Sequence, residues 1–154
     1  MPLKALGRPM AFACLMVACW FSPVSAQPND GAGRIKAVAG SAVIVRAGSS
    51  SPARVGELVY QSDTLRTGTD GRLAVTLQDE TRLSMGPNTE ITLSAFTFNP
   101  AEGQLGMILR IARGALSYVS GRIARLMPEA VRLETPTSVI GVRGTHALIR
   151  VEAP

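Results

Sequence analysis

The sequence predicts an all-β fold: about ten short, mainly antiparallel strands in one compact sandwich, barrel or short solenoid-like domain. Three observations predict it. Aliphatic residues recur at every second position along most of the chain, which places them on one face of a strand. Clusters of Gly, Pro, Asn, Asp and Ser interrupt those runs about every 8 to 12 residues, the pitch of sandwiches and barrels. No stretch holds a helical period beyond a short turn near residues 120 to 127.

The first residues belong to a different class. Lys4 and Arg8 precede an apolar run from Met10 to Phe21, and Pro23 and Val24-Ser25-Ala26 follow. A basic start, a short apolar stretch and a small residue before the cut form a secretory signal peptide, residues 1–26. The run falls short of the roughly 18 to 20 residues that span a bilayer, so no transmembrane helix is expected after cleavage. The expected location is periplasmic or secreted. Cys14 and Cys19 both lie in this segment, which leaves the mature chain without a thiol. A lipoprotein acylated at Cys19 is the alternative, although Met16 stands where such signals carry Leu.

Residues 27–33 have the composition of a flexible lead-in, and the β domain is expected over 34–152. Residues 41–46 are a continuous β-branched run, expected to be covered on both faces. Residues 47–52 are expected to be a loop. Leu73, Val75 and Leu77 alternate with polar residues, and Asp70-Gly71 before them is a hairpin signal between Leu65 and Leu73. Ile91 and Leu93 repeat the spacing, as do Leu105, Met107, Leu109 and Ile111, then Val131 and Leu133, then Ala147, Ile149 and Val151. Gln78 to Thr81, Gly86-Pro87-Asn88 and residues 99–103 are turns. A chain of this size buries a real core without disulfides.

Charge excludes one class of partner. Without Lys4 and Arg8, 14 of the 16 basic residues remain against 11 acidic ones, a net charge of +3. The basic residues are dispersed, with acids between them and few aromatics. A nucleic-acid binder concentrates its cations in a stripe with stacking aromatics, so no nucleic acid is expected.

Six phrases resemble, in order, those of the FecR domain family, a bacterial envelope module. They are Val38-Ala39-Gly40-Ser41-Ala42, then Val55 to Val59 with Ser62 to Gly68, then Leu77 to Leu83, Gly86 to Ile91, Arg113 to Leu116, and Thr135 to Thr145. The resemblance runs over roughly residues 34 to 151. Ser62 and Glu80 stand where the family carries Gly, so these sites are expected to need a less permissive backbone or a different turn type. Family regulators are similar to inner-membrane proteins with a cytoplasmic segment that handles a sigma factor. This chain shows no such segment before its apolar run, so anti-sigma activity is not expected. What the resemblance implies is an all-β envelope-signalling module whose structural motif comprises Asp63, Gly68, Pro136, Gly141, Arg143, Gly144 and Thr145. Arg143 is expected to be structural, its guanidinium forking onto a carboxylate or onto carbonyls freed by the bends, with Asp63 the preferred partner.

Candidate chemistry is sparse. His146 is the one histidine, expected at the surface of a terminal strand without the nucleophile and acid that catalysis needs. With no cysteine and no second histidine, no zinc site is expected. The aspartates lack the spacing of a calcium loop, and no cofactor is expected. Asp79 and Glu80 are expected to share a turn and both face water. Arg110, Arg113, Arg122 and Arg125, with Arg132, form a possible interaction patch, weighed against a solvated strand edge. The expected function is that of an exported, non-catalytic binding module in envelope sensing or protein–protein signalling, its partner an envelope protein. The alternative is a structural or binding protein associated with glycan or the cell wall.

Overall fold

The computed structural model describes residues 31–153. The signal segment, Cys19 and residues 27–30 lie outside the described residues. The last of the expected lead-in is built into the fold: Ala32 is buried and donates its N–H to the Val59 carbonyl at 2.7 Å, and Gly33 opens the first strand.

Twelve strands follow among the described residues. They are β1 (Gly33–Ala39), β2 (Ala42–Arg46), β3 (Ser49–Pro52), β4 (Leu58–Val59), β5 (Thr64–Thr67) and β6 (Arg72–Leu77). Then come β7 (Arg82–Met85), β8 (Glu90–Asn99), β9 (Gln104–Val119), β10 (Val131–Glu134), β11 (Val139–Gly141) and β12 (His146–Val151). One short helix, α1 (Arg122–Leu126), lies where the sequence allowed a turn. The strands form one curled, open sheet, a half-barrel around a single aliphatic core.

The 16-residue β9 is its spine. The first part of β9 lies between β8 and β10, and the last part between β7 and β12. One half of the sheet therefore runs β3-β2-β5-β8-β9-β10-β11, and the other β4-β1-β6-β7-β9-β12. The β9–β10 pair is parallel, and α1 lies on the crossover that a parallel pair requires.

Period two decides burial as predicted. Leu73, Val75, Leu77, Leu83, Met85, Ile91, Leu93, Met107, Leu109, Ile111, Leu116 and Ile149 all face the core, joined by Ile123 of α1. Strand β2 departs from expectation. Ala42 and Ile44 are buried, but Val43 and Val45 are only half-covered, so a β-branched run is not proof of cover on both faces. Residues 47–52 are also not a plain loop. Ala47 and Gly48 both take positive φ (49° and 80°), the geometry of a two-residue hairpin turn, and β3 pairs with β2 across it.

Asp70-Gly71 is not a hairpin. Strand β5 pairs with β2 and β8, whereas β6 pairs with β1 and β7, so the two strands sit in opposite halves of the sheet. The segment is a corner. The chain changes halves at Gly40-Ser41, at Gly68 to Gly71, at Gly86 to Thr89 and within β9 at Gly114, and hydrogen bonds tie these corners together. Ser41 accepts from Gly68 N–H at 2.8 Å and donates to Asp70 Oδ1 at 3.2 Å. Gly68 accepts from Asn88 N–H at 2.9 Å. Thr67 Oγ1 donates to the Gly86 carbonyl at 2.6 Å and accepts from Thr89 N–H at 3.0 Å. Thr89 Oγ1 in turn accepts from Ala115 N–H at 3.0 Å. At Gly114 φ is +92° and a Cβ would lie 2.3 Å from Thr89 Oγ1, so only glycine lets β9 turn there.

Candidate functional site

Among the described residues five polar residues are buried: Asp63, Thr67, Asp79, Thr81 and Thr89. Burying a polar side chain is unfavourable unless its hydrogen bonds are replaced, so each marks a joint that the fold needs. All five fall in phrases that resemble the FecR family.

Asp63 is 1% exposed, and it does not pair with Arg143. Its partner is Arg46: Nε donates to Oδ1 at 2.9 Å and Nη2 to Oδ2 at 2.7 Å. Tyr60 N–H donates to Oδ2 at 2.8 Å, and the guanidinium lies over the Tyr60 ring, 4.5 Å from its centroid. The hydrogen bonds with Asp63 raise the pKa of Arg46 above its usual value, despite partial desolvation. Arg46 lies on β2 and Asp63 just before β5, so the pair locks the β4–β5 corner onto the neighbouring strand.

Asp79 does not face water either. It is fully buried, accepting from Thr81 N–H at 3.1 Å, Thr81 Oγ1 at 2.7 Å and Ile123 N–H at 3.3 Å. Its carbonyl accepts from Arg122 N–H at 2.6 Å, and Thr81 Oγ1 from Gly121 N–H at 3.1 Å. Gly121, at the N-cap of α1, has no side chain to satisfy those donors, so the β6–β7 turn caps the helix from outside. Glu80 beside it is exposed and pairs with Arg125 at 3.2 Å. Ser62 and Glu80 keep positive φ, 73° and 69°, so the turns retain the backbone that glycine would favour and carry its strain.

The last phrase behaves differently. Pro136 ends β10, as its ring predicts, and Thr135 N–H closes the bend onto the Ser138 carbonyl at 2.8 Å. Pro136, Gly141, Arg143, Gly144 and Thr145 are exposed, and only Val142 is buried. Gly144 has φ of +142°, a conformation open to glycine. Gly141 has an ordinary strand conformation, and a Cβ there would meet nothing. The Gly144 and Thr145 carbonyls accept from the Ser120 hydroxyl and N–H respectively. Among the described residues the Arg143 side chain has no hydrogen bond or ion pair.

This phrase walls an open cleft of about 750 Å³. Its lining comprises Val139, Gly141, Val142, Arg143 and Gly144 together with Ala124, Pro128, Glu129, Val131 and Arg132. Strand β11 pairs with β10 alone, so its outer edge is free among the described residues. Val139 on that edge is 67% exposed. The site therefore combines unused backbone groups, an exposed aliphatic side chain and two guanidinium groups, Arg132 and Arg143, outside any ion pair.

Of the arginines expected to form a patch, four are engaged and, among the described residues, Arg132 is not. Arg110 pairs with Glu134 at 2.8 Å, Arg113 with Glu90 at 3.5 Å and Arg125 with Glu80, while Arg122 lies over the Phe98 ring, 5.2 Å from its centroid. His146 is exposed, its Nε2 2.9 Å from Ser117 Oγ, with no carboxylate hydrogen-bonded to the ring. Among the described residues no helix is long and apolar enough to cross a membrane.

The molecule is thus an all-β domain whose buried polar joints and exposed closing loop fall in a recurrent set of phrases. It belongs to the FecR family: the family model described as FecR protein matches residues 63–154, well over half of the chain. The family is involved in envelope signalling generally. The match begins at Asp63, so β1 to β4 lie outside it although β1 and β2 pair directly with β6 and β5. No curated protein and no solved structure matches the chain.

Proposed function

We propose that the protein is an exported, non-catalytic binding module of the periplasm, engaged in envelope sensing through a protein partner. The contact surface is the free edge of β11 with the cleft beside it. An extended partner segment adds to the edge through main-chain hydrogen bonds, and the cleft takes its side chains. One observation carries this reading. Five of the six family-like phrases supply corner joints or buried contacts of the sheet, whereas the closing phrase is exposed and leaves Arg143 without a partner. The signal-like residues 1–26 support export, and the lack of an acid beside His146 supports a role without turnover.

Crosslinking an affinity-tagged chain in the intact envelope, followed by mass spectrometry, tests this. A single envelope protein recovered in stoichiometric amount, and lost on Arg143→Glu, is the expected result. Recovery of cell-wall fragments alone contradicts it.

A further inference from the structure

A second surface has a composition that the linear sequence conceals. Along the β4-β1-β6-β7-β9-β12 half of the sheet, registered residues form rows across the outer face. Ala37, Ala74, Ser84, Ser117 and Leu148 are successive cross-strand neighbours. On one side of this row lies another containing Arg34, Thr76, Arg82, Val119 and His146. On the other side, Ala39 pairs with Arg72 and Ala115 with Arg150. Lys36, at the bulge of β1, is exposed beside them.

The strand segments of this half that carry these rows contain no Asp or Glu. None of Arg34, Lys36, Arg72, Arg82 and Arg150 takes part in an ion pair among the described residues. Among the described residues carboxylates come at the rim, from Glu57 before β4 and from Asp70, Glu80 and Glu152, and Glu80 is held by Arg125. The opposite half shows the contrast: its outward Arg66, Arg110 and Arg113 are ion-paired with Glu90 and Glu134, although Arg132 on β10 is not paired among the described residues. Nothing in the fold requires one half to be paired and the other bare.

The part of the small-residue row on β1, β6 and β7 is also a depression. A trough of about 420 Å³ is lined by Ala37, Ala39, Arg72, Ala74 and Ser84 among others. With strands about 4.8 Å apart, the row crosses five of them over roughly 19 Å. Successive outward residues on a strand lie about 6.7 Å apart, so cations border the floor at that distance on both sides. This is the width of one extended chain. The row carries no aromatic ring on which bases could stack, which disfavours single-stranded nucleic acid. Along four of its five strands the floor is Ala and Ser, and Leu148, 75% exposed at the end of the row, is the single large apolar side chain it could offer to a bilayer.

We infer that this face binds an extended anionic polysaccharide, a chain bearing carboxylates or phosphates. The arginines take its charges, and Ser84, Ser117 and Thr76 meet its hydroxyls. This surface is separate from the β11 edge, so the inference stands independently of the protein partner proposed above.

Binding of sodium polygalacturonate to the purified chain, measured by calorimetry at low salt with dextran as the uncharged control, tests it. The expected result is binding that weakens with salt and is absent for dextran. Arg72→Gln with Arg82→Gln should weaken it about tenfold, given two exposed charge contacts of up to about 1 kcal/mol each. Arg66→Gln with Arg110→Gln, on the ion-paired half, should change it less than about twofold. Ser84→Leu fills the trough without altering charge and should also weaken binding. Equal losses from the two double variants, an unaffected Ser84→Leu, or no binding at low salt would overturn the inference. So would binding to phosphatidylglycerol vesicles or duplex DNA without binding to the polysaccharide.

Discussion

Arg46 and Asp63 form a two-pronged ion pair at the β4–β5 corner, with one partner half-exposed and the other buried. The side chains are 44% and 1% exposed. That asymmetry sets what each substitution does. Arg46→Ala strands a buried carboxylate and should cost about 3 kcal/mol. Asp63→Ala leaves a guanidinium that water reaches and one unpaired N–H, and should cost about 2 kcal/mol. Urea denaturation of both variants checks the order, which reverses if the corner is held by Tyr60 rather than by the charges.

Asp79 caps α1 from another part of the chain, so its removal should act at a distance. Asp79→Ala unpairs the Thr81 and Ile123 donors and should destabilise the fold by about 3 kcal/mol. Hydrogen exchange should show α1, one wall of the cleft, losing protection before β9. Uniform loss across the sheet would contradict the capping role.

Ser62 holds a left-handed backbone at φ +73°, where glycine carries less strain. Ser62→Gly should therefore raise stability by about 0.5–1 kcal/mol, the relief of strain outweighing the added freedom of the unfolded chain. Thermal unfolding reads this directly, and a lower Tm would mean that the Ser62 side chain does more than the backbone suggests.

Tyr118 is fully buried, and among the described residues its hydroxyl has no hydrogen-bond partner of ordinary geometry. Burial pushes its pKa up from 10.0, with nearby Ser120 and Thr81 drawing it part of the way back and Asp79 adding to the rise. Below that pH the phenol is neutral in both the folded and unfolded chain. Above it the unfolded chain loses the proton first, so stability falls as pH rises through the folded pKa. Tyr118→Phe should flatten this fall and leave stability at pH 7 within about 1 kcal/mol, since an unpaired hydroxyl is removed. Denaturant titrations from pH 7 to 11 compare the two, and identical slopes would contradict the assignment.

Period two made much of the fold legible, because alternation is local and burial follows it strand by strand. Pairing was not legible. Asp70-Gly71 looks the same whether it joins a hairpin or turns a corner, and only the partners of β5 and β6, distant in sequence, decide. The same limit hid Arg46 as the partner of Asp63, since nothing around residue 46 marks it, and Arg143 drew attention by its setting between glycines. The cationic face is the extreme case: Arg34, Arg72, Arg82 and Arg150 become neighbours only through cross-strand register, whereas Arg110 and Arg113, close in sequence, find carboxylates on adjacent strands. The closing phrase was recognisable from its residues, but the exposure of most of it, with Val142 alone buried, was visible only once the other phrases had been placed.

We propose that the closing phrase recognises a partner while the other phrases hold the sheet. A photoreactive residue placed at Val139, on the free edge of β11, tests it most directly when compared with one at Ser50 on β3, the opposite edge of the same half. Irradiation in the intact envelope should yield one discrete protein adduct from position 139, abolished by Arg143→Glu, and none from position 50. No adduct at 139, or the same adducts from both edges, would contradict the account.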